Sequence, residues 1–206
     1  PRMHKGRRIT DQQTLEVVTM VYGGLLNKQL VAQLQALQCN ALGLTGADAN
    51  LLPANKRPAS AIDWGFVGDH SPEMLPVATY QQLLQAGLVP VFAALTHDQQ
   101  GQLLNTNADT IASTIAIALA DYFETDLWFC FEKPGLLADP DSDASVIHQL
   151  NEVKYQELKE AGVVTAGMLP KLDNAFAALQ QGVNQVRLGN AHLLFQPAAG
   201  TTLKLH

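Results

Sequence analysis

Short apolar runs alternate with stretches of helical periodicity along almost the whole chain, and this alternation restricts the fold more than any single motif does. Ala41-Leu42-Gly43-Leu44-Thr45, Val89 to Ala94 and Asp126 to Phe131 read as buried strands, and Val183 to Leu188 and Thr201 to Leu205 as closing strands. Between them, Val77 to Leu84 suits a helix stopped at Gly87, and Asn107 to Leu119 a strongly periodic one. Ser145 to Ala161 reads as a charged helix ended by Gly162, and Met168 to Gln181 as a further helix. A helix between two strands returns the chain to the starting edge of a sheet, so successive strands run parallel and helices cover both faces. The expected class is α/β, on a mainly parallel sheet.

The first helical stretch is less regular. Thr10-Asp11-Gln12-Gln13 has the capping-box pattern, with Thr10 at the N-cap. Leu15, Val18 and Val21 follow at helical spacing. Gly23-Gly24 then interrupts the helix or admits another backbone, and a second amphipathic segment runs through Leu30, Leu34 and Leu37. Residues 46 to 75 are too long for a plain connection, and a β-hairpin or flap is expected around Ile62 to Val67.

The 206 residues suffice for one substantial core, and the chain reads as a single domain. Hydrophobic residues make up 47% and the net charge is −6, which argues against the basic stripes that nucleic acid or an anionic membrane requires. A polyanionic substrate would therefore need a local basic site. No apolar run reaches the roughly 18 residues of a membrane span, and no signal peptide is read. Cys39 and Cys130 occupy apolar contexts and are expected to be inert, buried thiols of a reducing cytoplasm. The histidines lack metal-ligand spacing, so no metal site is expected. No P-loop, dinucleotide fingerprint or nucleophile elbow occurs.

Two stretches carry candidate chemistry. In Leu104-Asn105-Thr106-Asn107-Ala108-Asp109-Thr110, an extended backbone would present Asn105, Asn107 and Asp109 on one side, at the positive end of the following helix. Phosphoryl transfer uses donors fixed around the substrate and an acid that orients lysines or a metal. A plain Asn/Asp-rich N-cap also accounts for these residues. In Gly167-Met168-Leu169-Pro170-Lys171, proline suits the first helical turn and sets Lys171 near free N–H groups, where a cation is disfavoured unless an anion is close. A solvated surface lysine is the simpler account. Arg8 has the fork that holds a carboxylate, or belongs to an ordinary basic loop. Glu132-Lys133-Pro134-Gly135 follows a strand at its carboxyl end, where open α/β sheets place ligands, although a turn explains it too.

Taken in order, these residues resemble the N-acetyl-L-glutamate kinases of the amino acid kinase superfamily. Arg8-Ile9-Thr10 is similar to that family's R-[VI]-T, Asn27-Lys28 to a family pair, and Gly87 to Phe92 to a strand entry. Gln102 to Asp109 is similar to G-x-x-x-N-[VI]-N-A-D, and Gly162 to Lys171 to G-x-I-x-x-G-M-x-x-K. The resemblance implies a three-layer α/β/α sandwich, with an N-acylglutamate-binding half over about residues 1–104 and a nucleotide-binding half over about 105–206. The implied reaction moves the γ-phosphoryl group of ATP, with Mg²⁺, to the γ-carboxylate of N-acetyl-L-glutamate, or of another N-acylglutamate such as N-succinylglutamate. The product is an acyl phosphate of arginine biosynthesis, made by a cytoplasmic homodimer with no nucleic-acid or membrane partner.

By the same resemblance, Arg8 grips the substrate's α-carboxylate and Asn105 its α-substituent, with Asn107 beside them. Lys171 neutralises the migrating phosphoryl group, and Asp109 holds the lysines in place. Glu132, Lys133, Gly135, Leu136, Leu137, Val163, Val164, Thr165 and Gly167 line the nucleotide. A carboxylate acceptor is already ionised at pH 7 and needs no general base. The family's K-x-G-G strand end and second glycine-rich loop have no counterpart before Arg8, so a first βα segment is expected to be missing from the sequence as given. Cys130 to Gly135 also stands where the family has a smaller, more polar turn such as S-D-V-x-G. The alternatives are a carbamate, aspartate or glutamate kinase of the superfamily, or a catalytically weak regulatory protein of the same fold. Arg8 with N-x-N-A-D speaks against the former, and Asp109 with Lys171 against the latter.

Overall fold

The computed structural model describes residues 3–4, 7–164, 167–193, 196 and 199–205. The chain divides into two units, Pro1–Ile111 and Ala112–His206, with the boundary inside one helix. In the first unit, β1 (Met3–His4) and β2 (Arg7–Arg8) pair antiparallel. A long helical stretch follows, consisting of α1 (Gln12–Val18), a π-helical segment (Thr19–Leu26) and α2 (Asn27–Ala36). Its N-cap is Asp11 rather than Thr10, with the Asp11 carboxylate accepting the Thr14 N–H at 2.8 Å. Thr10 is held elsewhere: its N–H donates to Trp64 O at 3.0 Å and its carbonyl accepts from Phe66 N at 2.7 Å. Those extended pairings remove Thr10 from the helix and leave the next residue to cap it.

Gly23-Gly24 does not interrupt the helix. The turns widen to π geometry there, and a Cβ on Gly23 would approach Leu95 Cδ1 at 3.2 Å, so this glycine admits a side chain and not a backbone. Leu30 and Leu37 are exposed, against the expected amphipathic pattern. The buried residue of α2 is Asn27, whose amide donates to Val91 O at 2.8 Å.

β3 (Ala41–Leu44) is followed by two antiparallel arms, β4 (Asn55–Lys56) and β5 (Gly68–Asp69). The hairpin arms thus flank Ile62 to Val67, which lies in the connection between them: Arg57 N–H donates to Val67 O at 2.8 Å, and bridges join Gly65 to Thr10 and Val67 to Asn105. α3 (Val77–Gln85) stops as expected at Gly87, whose φ of 71° suits a left-handed helix end. β6 (Val89–Phe92) runs parallel to β3, but Val89 is exposed, so this strand is only half-buried. β7 (Leu95–His97) and β8 (Leu103–Asn105) pair antiparallel. Leu15, Val18, Ala93 and Leu95 form a core cluster in this unit. α4 (Ala108–Ala120) then crosses the boundary.

The second unit contains β9 (Asp126–Cys130), β10 (Gln149–Asn151), α5 (Glu152–Glu160), α6 (Leu169–Gln180), β11 (Gln185–Gly189) and β12 (Thr201–Lys204). Its sheet has the order β10-β12-β11-β9, parallel at both outer pairings and antiparallel between β11 and β12. The charged helix starts at Glu152, not Ser145, because Gln149–Asn151 is drawn into the sheet by β12 and Asn151 caps the helix through Lys154 N–H at 2.9 Å. Leu127, Phe129, Leu172, Phe176, Val186, Leu188 and Leu203 build the core, each stabilising the fold by roughly 1.5–3 kcal/mol through burial. Cys130, the last residue of its strand, is exposed and Cys39 is half-buried, so neither is the buried thiol expected. No helix among the described residues is long and apolar enough to cross a membrane. The α/β class is as the alternation predicted: of the strands that sequence marked, β3 and β6 pair parallel, as do β9 and β11, whereas β11 and β12 pair antiparallel.

Candidate active site

Three segments of the first unit meet around one cavity of about 250 Å³. Thr10 is pinned between residues 64 and 66, which sets Arg8 just before it. Asn105 N–H donates to Phe66 O at 2.9 Å, and its Nδ2 donates to Thr10 Oγ1 at 3.0 Å. The same three segments therefore fix both the backbone and the amide of Asn105. Arg8, Asn105 and Asn107 come together in the cavity wall, with Arg57, Gly68, Asp69, Thr106 and Thr110. The alternation across Asn105, Asn107 and Asp109 does not extend to the third residue. Asn107 Oδ1 accepts the Thr110 N–H at 3.1 Å, and Asp109 lies in the first turn of α4, outside the lining of this cavity. Asn107 thus both caps the helix and lines the cavity.

Arg57 and Asp69 escaped the sequence reading. Arg57 Nε lies 3.0 Å from both carboxylate oxygens of Asp69, and Nη2 closes the fork on Oδ1. Hydrogen bonding to Asp69 raises the guanidinium's pKa above its ordinary value, against the opposing effect of burial. The two residues sit in a Pro- and Gly-punctuated stretch without periodicity, and only the register Asn55↔Asp69 shows that they meet. Beside them, burial pushes the His70 pKa down although Asp69 acts in the other direction.

The second unit has its own cavity, of about 190 Å³, with mainly apolar walls. Lys133, Gly135, Leu136, Leu137 and Val163 of the expected set line it, joined by Phe131, Pro140 and Met168. Leu136 N–H donates to Thr201 Oγ1 at 2.8 Å, and Ile147 N–H donates to Leu136 O at 2.8 Å, which fixes the loop. A Cβ on Gly135 would stand 2.8 Å from Thr201 Oγ1, so this position requires glycine. Lys133 Nζ pairs with Asp143 at 3.0 Å. Glu132 and Gly167 are exposed, Val164 is buried in the core, and Thr165 lies outside the described residues.

Lys171 occupies the first turn of α6 after Pro170, with Nζ 4.8 Å from the centre of the Phe129 ring. The same helix is tied to α5 by Tyr155 OH, which donates to Asp173 at 2.7 Å. Desolvation, and then that bond, pushes the Tyr155 hydroxyl pKa well up.

A sequence profile of the amino acid kinase family matches residues 1–190. The chain belongs to the amino acid kinase family. It is similar to acetylglutamate kinase of Parabacteroides distasonis, 52% identical over 195 residues that cover 95% of this chain and 76% of the relative. Acetylglutamate kinase of Bacteroides fragilis is 53% identical over 185 residues, 90% of this chain and 70% of the relative. Among solved structures, smu.665 from Streptococcus mutans UA159 shares the fold, with a TM-score of 0.82 at 24% identity, over all of this chain and 77% of its own. In this amino acid kinase, the first cavity offers a guanidinium and amide groups to a small acidic molecule. The second offers apolar walls and one lysine to a planar ring carrying an anion.

Proposed function

We propose that this amino acid kinase transfers the γ-phosphoryl group of ATP to the γ-carboxylate of N-acetyl-L-glutamate, making an acyl phosphate for arginine biosynthesis. The observation that carries the reading is the convergence of Arg8 and Asn105 on one cavity, on a scaffold about half identical to acetylglutamate kinases. Arg8 grips the α-carboxylate in a bidentate pair. Asn105, with one amide proton committed to Thr10, keeps its carbonyl oxygen for the N–H of the acylated nitrogen. Asn107, beside Asn105, completes that wall. The first unit thus takes the N-acylglutamate and the second the nucleotide.

The adenine ring fits among Phe131, Leu136, Leu137, Val163 and Met168. Lys133 and Gly135 border it, and Glu132, Val164, Thr165 and Gly167 flank it in sequence. The attacking carboxylate is anionic at pH 7, so catalysis consists of holding reactants in line and offsetting charge. Lys171 supplies positive charge to the migrating phosphoryl group, and Asp109 orients the lysines. Mg²⁺ would be carried by the phosphate oxygens of the nucleotide and reduce their mutual repulsion.

The protein works as a homodimer in the cytoplasm. Exposed Met20, Leu25, Leu26 and Leu30, on a helical stretch whose only charged residues are Glu16 and Lys28, support pairing of two copies. The deciding experiment follows ADP release by the full-length protein with Mg-ATP, offering N-acetylglutamate, N-succinylglutamate, glutamate, aspartate and carbamate separately. Turnover with N-acetylglutamate is expected. Turnover confined to a non-acylated substrate would replace this reading with that of another kinase of the family.

A further inference from the structure

Thr106 lies between the two asparagines of the acidic-substrate cavity, at the position where the motif quoted above has valine or isoleucine. Its environment gives the hydroxyl a task that an apolar residue does not perform. Thr106 is 4% exposed, and its Oγ1 donates to Gly68 O at 3.1 Å. Thr96 Oγ1, on a residue with no exposed surface, lies 2.8 Å from Thr106 Oγ1. A hydroxyl has one proton to give. With Thr106 donating to Gly68, Thr96 Oγ1, which also lies 3.4 Å from Leu104 O, gives its proton to the nearer Thr106 Oγ1, and the chain of bonds runs Thr96 to Thr106 to the Gly68 carbonyl. A buried hydroxyl without partners is costly, and here each oxygen is engaged.

Gly68 is shaped for this contact. A Cβ there would lie 2.7 Å from Thr106 Oγ1 and nearer still to Thr96 Oγ1. The next residue is Asp69, which forks Arg57, and both line the cavity. The backbone of Asn105 is tied to the same hairpin connection through Phe66 O at 2.9 Å. The tripeptide Asn105-Thr106-Asn107 therefore contributes two amides to the cavity wall, and its central hydroxyl latches the β5 arm.

We propose that Thr106 is a positioning residue: through Gly68 it sets the Arg57–Asp69 wall of the cavity against Asn105 and Asn107, and so fixes the fit of the acylated substrate. The kinetic part rests on the function proposed above. Thr106→Val keeps the shape and removes the hydroxyl, leaving the Gly68 carbonyl without that donor. The variant is expected to raise KM for N-acetylglutamate about tenfold, with kcat and KM for ATP within about twofold of wild type. Thr106→Ser, which restores the donor, is expected within about twofold of wild type. Amide hydrogen exchange at Gly68 and Asp69 is expected to quicken in Thr106→Val and not in Thr106→Ser. Unchanged KM and unchanged exchange in the valine variant would overturn the latch, as would a serine variant as impaired as the valine one. If wild type turns over no N-acylglutamate, the proposed function fails, and the exchange measurement still decides whether the latch exists. Should Thr106→Val not fold, Thr96→Val removes the first donor of the chain and carries the same measurements.

Discussion

Under the roles proposed above, truncating Lys171 and truncating Arg8 should impair the reaction in different ways, because the two charges would be needed at different moments. Charge on the migrating phosphoryl group is redistributed in the transition state. Lys171→Ala is therefore expected to lower kcat by roughly 10²–10³ while changing either KM far less. An unchanged kcat would remove Lys171 from the chemistry and leave it as the cation over Phe129 that the geometry shows. The α-carboxylate keeps its charge throughout, so Arg8→Ala should act mainly on KM for N-acetylglutamate, raising it about ten- to a hundredfold. An effect confined to ATP would contradict that role. His70 makes a separate prediction. Both of its ring nitrogens are buried without hydrogen-bond partners among the described residues, and burial lowers its pKa in the folded protein. The unfolded chain takes up this proton near pH 6.5, before the folded one does. The favourable contribution of the neutral ring is thus fully present above about pH 6.5 and is lost progressively as pH falls from there to the lower, folded value. His70→Leu should flatten the dependence of the melting temperature on pH in that window, and parallel curves for both proteins would refute the assignment.

At the scale of elements, what was legible in the sequence was what local periodicity decides. The strands at Ala41, Val89 and Asp126 and the helices at Val77, Asn107 and Met168 were marked by their own residues, and glycine at 87 and 162 marked two helix ends. The misplaced features are those decided by distant partners. Thr10 looks like an N-cap until Trp64 and Phe66 claim its backbone, and residues before Asn151 look helical until β12 takes them into a sheet. The candidate site divides in the same way. Arg8, Asn105 and Asn107 stand in a recognisable motif, whereas Arg57 and Asp69 meet only because of a hairpin register. Asp109 left the cavity lining because the extended backbone assumed for the alternation gives way to helix after Asn107. Two substitutions test these assignments. Asp11→Ala should cost about 1 kcal/mol in denaturant unfolding if Asp11 is the cap, and next to nothing if Thr10 is. Gly135→Ala forces a methyl group toward Thr201 Oγ1, at 2.8 Å, and so displaces the loop that lines the apolar cavity. It should raise KM for ATP at least about tenfold and leave KM for N-acetylglutamate unaltered, and the reverse pattern would move the nucleotide out of that cavity.

At the scale of the whole molecule, the helical stretch from Gln12 to Ala36 asks for a partner surface. Scattered apolar side chains at the surface are ordinary, but Met20 is 64% exposed and Leu25, Leu26 and Leu30 are each about half exposed along one helical stretch. A twofold axis brings a surface against its own copy, so a charged patch would oppose itself while an uncharged apolar one is self-complementary. With only Glu16 and Lys28 carrying charge here, the stretch meets that condition. The protein is expected to sediment at twice the mass of its own polypeptide chain. Leu30→Glu introduces a carboxylate into both copies at once and should raise the dimer dissociation constant by at least about a hundredfold. The fold of each chain should stay intact, as judged by an unchanged far-ultraviolet circular dichroism spectrum. A wild-type protein that sediments as a monomer at micromolar concentration would refute the homodimer. A Leu30→Glu variant that remains dimeric would keep the dimer and move its interface to another face.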